Sequence, residues 1–172
     1  MRLVLLLSSI ALLASCAPPP VIAPEPQAEV RPGGCRIATD ADFEGAGEQH
    51  MRSYLAWLVK TEGARVQLGP RDAALAIVRG AGKLAPSGVQ IAEVGCSAKG
   101  AAPYRVTLYR DALVGRPLAT SYHAIAHEFH HVVQIRKESL PCGPGEASRH
   151  PYERQADAVA DRLVPACKGG SR

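Results

Sequence analysis

Two histidines four residues apart, His127 and His131, stand in a stretch whose apolar residues recur with helical period. Tyr122, Ile125, Phe129, Val132 and Val133 mark one face of that helix, and the histidines are expected on the opposite one. On an α-helix, residues four apart are about 40° from one another around the axis and about 6 Å apart along it. Both imidazoles therefore point the same way and can share one ion. Glu128 follows His127 directly, rotated by about 100°, so it flanks such an ion and can reach a water bound to it. Neutral imidazoles suit zinc, a cation of borderline softness.

The segment after this helix supplies a second set of polar residues. Pro151 suits the first turn of a helix, and Tyr152 to Val164 has helical spacing. Glu153 and Asp157 share a face of it, with the small Ala156 and Ala160 nearby to allow close approach of the first helix. Leu140 to His150, rich in Gly and Pro, reads as a loop between the two helices. Glu146 in that loop is a rival acid for the site, but has no acid four residues beyond it.

H-E-x-x-H followed by a helical E-x-x-x-D resembles the gluzincin metallopeptidases, and the 21 residues between His131 and Glu153 are a spacing those enzymes commonly have. The resemblance covers Ser121 to Leu163. It implies that His127, His131 and Glu153 are zinc ligands and that Glu128 is the general base. Asp157 would accept a hydrogen bond from the far nitrogen of a ligating imidazole, His127 for preference, which fixes its tautomer and raises its basicity. It also implies an α+β fold: a single zincin-like domain with an active-site helix, a second ligand-bearing helix and a small antiparallel sheet. The implied activity is hydrolysis of a peptide or protein substrate. A zinc-binding envelope lipoprotein that binds a partner without turnover is the alternative. For the donor that stabilises the oxyanion, the candidates are Tyr122, Tyr152, His150 and Arg149.

Upstream, Arg2 precedes an almost wholly apolar run from Leu3 to Leu13, too short to span a bilayer stably. With Leu13-Ala14-Ser15-Cys16 it resembles a bacterial lipoprotein signal, residues 1–15, in which Cys16 becomes the lipid-modified first residue. Ordinary secretion, with cleavage near Ala14 or Ala17, is the other reading. Ala17, where an Asp would favour the inner membrane, points to the outer membrane facing the periplasm. Ala17 to Pro32 has 6 prolines in 16 residues and completes a tether over residues 16–32. Residues 33–172 are then one domain with one core.

Of the 5 cysteines, four remain beyond Cys16: Cys35, Cys96, Cys142 and Cys167. An even count in an exported chain suggests two disulfides, with Cys142–Cys167 and Cys35–Cys96 favoured among three pairings. No C-x-x-C pair exists to support a zinc–thiolate cluster. The net charge of +4 is spread out, with no basic stripe interleaved with aromatics, which argues against nucleic acid; a monomer is expected.

The rest of the chain reads as scaffold. Asp40 to Lys60 is expected to be a helix capped by Asp40 or Asp42, with Trp57 in or beside the core. Ala64 to Leu68 reads as a short strand, and Arg71 to Val78 as a short helix opening after Pro70. Val89 to Gly95 and Tyr104 to Tyr109 alternate as a hairpin. The second of these strands is either internal or an edge that could pair with an extended peptide. Thr120 or Ser121 is expected to cap the active-site helix and Pro141 to stop it, with His123 and His130 beside the metal face; His130 either supports a ligand or, the favoured reading, is exposed.

Overall fold

The computed structural model describes residues 34–85, 88–97, 102–140 and 150–164. The signal and tether readings, with Cys16, Cys142, Glu146, Arg149 and Cys167, lie outside them. The order is α1 (Gly45–Thr61), β1 (Ala73–Val78), β2 (Lys83–Ala85), β3 (Gly88–Gln90), β4 (Ala92–Cys96), β5 (Tyr104–Tyr109), α2 (Arg110–Leu113), α3 (Leu118–Glu138) and α4 (His150–Leu163). The fold is α+β.

A short 3-10 turn, Asp40–Phe43, launches α1. Asp42 accepts from the backbone N–H and hydroxyl of Thr39 at 2.8 and 3.0 Å, and from both ends of the Arg36 guanidinium. Those bonds hold its carboxyl far below the usual carboxylate range, the Arg36 contact being the largest cause. The folded-state pKa is depressed, so this stabilisation is present above the ordinary aspartate pKa and fades as pH falls through the acid range. Asp42→Ala is expected to cost about 1–2 kcal/mol at pH 7 and much less near pH 2, read from urea unfolding at the two pH values. Met51, Tyr54, Leu55, Leu58 and Val59 of α1 are buried, and Trp57 packs beside them.

Two readings change here. Gly63–Val66 is a 3-10 turn and not a strand; it closes on Gln67, whose left-handed backbone (φ 58°) no extended strand could continue. Ala73–Val78 is a strand and not a helix. Its alanines favour helix locally, but Asp72 folds back on Gly69 through its backbone N–H (3.0 Å) and its carboxylate (2.8 Å), so Pro70 sits in a turn. The six residues then find a partner in β5, register Ala73↔Tyr104 to Val78↔Tyr109, and tertiary pairing overrides propensity.

The main sheet has the order β1-β5-β4, with β1 parallel and β4 antiparallel to β5. It is therefore mixed, where an antiparallel sheet was expected; the separate β2–β3 pair is antiparallel. β5 is the central strand, with Val106 and Leu108 fully buried, so it is the internal alternative that holds. β4 is the edge. Ile91 C=O accepts from Tyr109 N–H (3.0 Å) and Ser97 N–H donates to Pro103 C=O (2.9 Å). Antiparallel pairing alternates, so the backbone groups of Ala92, Val94 and Cys96 face away from β5. No described strand pairs with that side.

α3 lies between the sheet with α1 on one side and α4 on the other. Tyr122, Ile125, Phe129 and Val132 are buried as expected of the apolar face, and Val133 is half-buried. α3 begins at Leu118, so Thr120 and Ser121 lie inside the helix. Its first N–H groups need no side-chain cap, because Arg36 C=O takes Leu118 N–H (2.8 Å) and Gly34 C=O takes Ala119 N–H (3.3 Å). It ends at Ser139, left-handed at φ 52°, before Pro141 is reached. Ala156 and Ala160 of α4 are fully buried, which is what lets α4 lie close against α3.

Cys35 and Cys96 are both disulfide-bonded. Cys142 and Cys167, the other two cysteines of the expected pairs, lie outside the described residues.

Candidate metal centre

α3 and α4 run antiparallel, and each step of four residues along one is matched by a step of four on the other. Three histidines of α3 meet three acids of α4 in succession: His123 Nε2 with Asp161 Oδ1 at 3.0 Å, His127 Nδ1 with Asp157 Oδ1 at 2.9 Å, and His131 Nε2 with Glu153 Oε1 at 3.5 Å. The lower two rungs carry the residues expected at the site. His123, expected beside it, turns out to be the third rung, and a His-x-x-x-His-x-x-x-His stripe was the signal for it.

The rungs differ in one respect. His127 Nε2 is also 3.1 Å from Glu153 Oε2 and 3.1 Å from His131 Nε2. The donor atoms of His127, His131 and Glu153 thus converge on one point, all within 4.8 Å of one another, and could hold a metal ion. Tetrahedral zinc with bonds of about 2.0–2.1 Å has ligands roughly 3.3 Å apart, and the separations of 3.1, 3.1 and 3.5 Å match that edge.

The hydrogens point to the same conclusion. Asp157 takes the Nδ1 hydrogen of His127, and Gln134 Oε1 takes that of His131 at 2.8 Å. With those hydrogens on Nδ1, the Nε2 atoms of both rings face the carboxylate of Glu153 and can offer lone pairs to an ion among them. Three acceptors facing one another repel unless a cation lies among them. Burial, with the facing His127, lowers the pKa of His131, so a proton is poorly suited to that place. The His131 side chain is 4% exposed and that of Glu153 37%, so the cluster is buried at His131 and reaches solvent at Glu153.

Glu128 sits half-buried beside the cluster, against the β4 edge. Its pKa is pushed up to about 8, chiefly by burial and then by the charges of Glu153 and Glu93, while a bond from the Val94 N–H pulls it down. Glu93 is held on the outer face of the sheet by Tyr109 Oη (2.6 Å) and Lys83 Nζ (2.5 Å).

Among the oxyanion candidates, Tyr122 is buried edge-on against Tyr54 in the core, remote from the open side of the cluster. Tyr152 gives its hydroxyl to Glu138. His130, expected to be exposed, is half-buried, and that burial lowers its pKa. Gln134, buried under α4, had no role assigned from sequence. Comparison with known proteins adds no relative: no family model, no curated protein and no solved structure matches the chain.

Proposed function

We propose that the chain is a zinc-dependent peptidase of gluzincin type, held in the bacterial envelope by a lipid on Cys16. The observation that carries the reading is the convergence of His127, His131 and Glu153 at tetrahedral spacing, with Glu128 alongside. Two neutral imidazoles and one carboxylate fit zinc and leave a fourth position for water or substrate. When bound, zinc supplies a water of lowered pKa and polarises a carbonyl.

The chain's own residues would do the rest. Glu128 takes a proton from the attacking water and hands it to the leaving amine. A carboxylate already pushed towards neutrality by its recess suits both halves of that transfer. Asp157 holds the His127 ring in one tautomer. The outward-facing backbone of Ala92 and Val94 on the β4 edge offers an extended peptide backbone partners beside Glu128. As the Val94 N–H is engaged by Glu128, such a peptide would compete for it. The envelope location rests on the residues from Met1 to Cys16, and the outer membrane on Ala17.

The test is zinc content and cleavage of a mixed peptide library by the purified chain, before and after chelation. The expected result is about one zinc per chain, with cleavage that chelation abolishes and added zinc restores. Zinc without cleavage would favour the non-catalytic binding module; no zinc would remove the basis of the proposal.

A further inference from the structure

We propose that Gln134 is the positioning residue for His131: its side-chain carbonyl takes the Nδ1 hydrogen and thereby turns the Nε2 lone pair into the metal cluster. This rests on the metal-site reading of His127, His131 and Glu153, and deepens it.

Gln134 lies three residues beyond His131 on α3, 3% exposed. A buried primary amide is costly unless its polar atoms are paired. Here the pairing is complete in a single orientation. Oε1 faces His131 Nδ1 at 2.8 Å, while Nε2 donates to Tyr152 C=O at 3.1 Å and to Gln155 Oε1 at 3.3 Å. Turning the amide over would set Oε1 against the Tyr152 carbonyl and leave both acceptors facing each other. The backbone of α4 therefore fixes the amide, and the amide fixes the imidazole. A hydrogen held on Nδ1 by this bond leaves Nε2 as the atom that faces the cluster and can offer a lone pair to an ion.

The same side chain does a second job. Tyr152 immediately precedes Glu153, so Gln134 ties one ligand of α3 to the backbone beside the ligand of α4. The two helices come from separate stretches of chain, and Gln134 joins them at this level beside the Tyr152–Glu138 bond.

The choice of an amide also has a physical logic. Glu153 and Asp157 already bring two negative charges to the cluster, enough to balance a divalent ion. An amide orients His131 without burying a third charge.

The experiment uses the purified full chain and two variants. Gln134→Met keeps length and volume but removes the acceptor; Gln134→Glu restores an acceptor at the same place. The protonation of His131 is read by long-range 1H–15N correlation in the metal-free protein, and zinc affinity by competition with a chromophoric chelator. In the wild type, His131 is expected as the Nδ1–H tautomer. Gln134→Met is expected to shift it towards Nε2–H and to weaken zinc binding by about 10–100-fold, while Gln134→Glu, which keeps an acceptor for Nδ1 but sets a second acceptor against the Tyr152 carbonyl, is expected to keep the Nδ1–H tautomer. An Nε2–H tautomer in the wild type would overturn the proposal, and that measurement needs no variant to fold. So would wild-type zinc affinity in a natively folded Gln134→Met. If the wild type bound no zinc while His131 kept its Nδ1–H tautomer, the metal reading would fail and the hold of Gln134 on His131 would stand.

Discussion

Glu128→Gln is expected to bind one zinc ion per chain and to hydrolyse peptides at least 100-fold more slowly than wild type, since general-base catalysis contributes about 10²–10⁴-fold. The proposed ligands His127, His131 and Glu153 are untouched, and the glutamine oxygen can still accept from Val94 N–H. The same substitution should stabilise the metal-free protein, in a pH-dependent manner. The carboxyl of Glu128 has its pKa raised from 4.5 to about 8 in the fold, with burial as the main cause. A raised carboxyl pKa means that the folded state holds a proton the unfolded chain has lost. The destabilisation is therefore absent below about pH 4.5, grows through the window up to about 8, and is complete above it. At pH 8.5 the metal-free variant should exceed metal-free wild type by on the order of 2 kcal/mol, allowing for the partly open recess, and at pH 4 by almost nothing. Chemical denaturation of chelated samples at the two pH values reads this directly. Undiminished hydrolysis would remove Glu128 from the chemistry, and a pH-independent difference would remove the strained carboxylate.

Glu128 belongs to a local motif, which is why its place beside the two histidines could be read from sequence. His127, Glu128 and His131 are related by helical spacing alone, and so are Glu153 and Asp157. Helical spacing is fixed by backbone geometry whatever the rest of the chain does. Ala156 and Ala160 told in advance how closely α4 could approach α3. The strand β1 was hidden for the opposite reason. Its alanines are good helix formers, and only the Asp72 turn and the partner β5, about thirty residues on, make it extended. The mixed sheet followed from that one pairing. The start of α3 was misplaced because backbone carbonyls of Gly34 and Arg36, far away in sequence, take the place of a capping hydroxyl. Gln134 had no signature of its own. Its meaning comes from lying three residues past a ligand and beneath the carbonyl of Tyr152, and the second half of that description exists only once α4 is in place.

His127→Ala should abolish the response of the fold to zinc. Of the three proposed ligands, His127 alone lies at 3.1 Å from both of the others, whereas His131 and Glu153 are 3.5 Å apart. Its loss leaves two donors and frees Asp157, which has no ligating ring left to orient. Zinc that binds the folded state and not the unfolded chain stabilises by mass action, by about 4 kcal/mol when free zinc is 1,000 times Kd. For a domain of this size that corresponds to a rise in Tm of roughly 10–20 °C. Wild type should therefore show a Tm that climbs with zinc and falls back on chelation. His127→Ala should melt at one temperature under both conditions, near or slightly above that of chelated wild type, because removing one of three converging acceptors relieves their repulsion in the metal-free fold. Scanning calorimetry with a zinc titration makes the comparison. If the variant climbed with zinc as wild type does, the ion would be held elsewhere and the cluster would lose its role. If both proteins were indifferent to zinc while wild type cleaved peptides, catalysis would have to be sought away from α3 and α4.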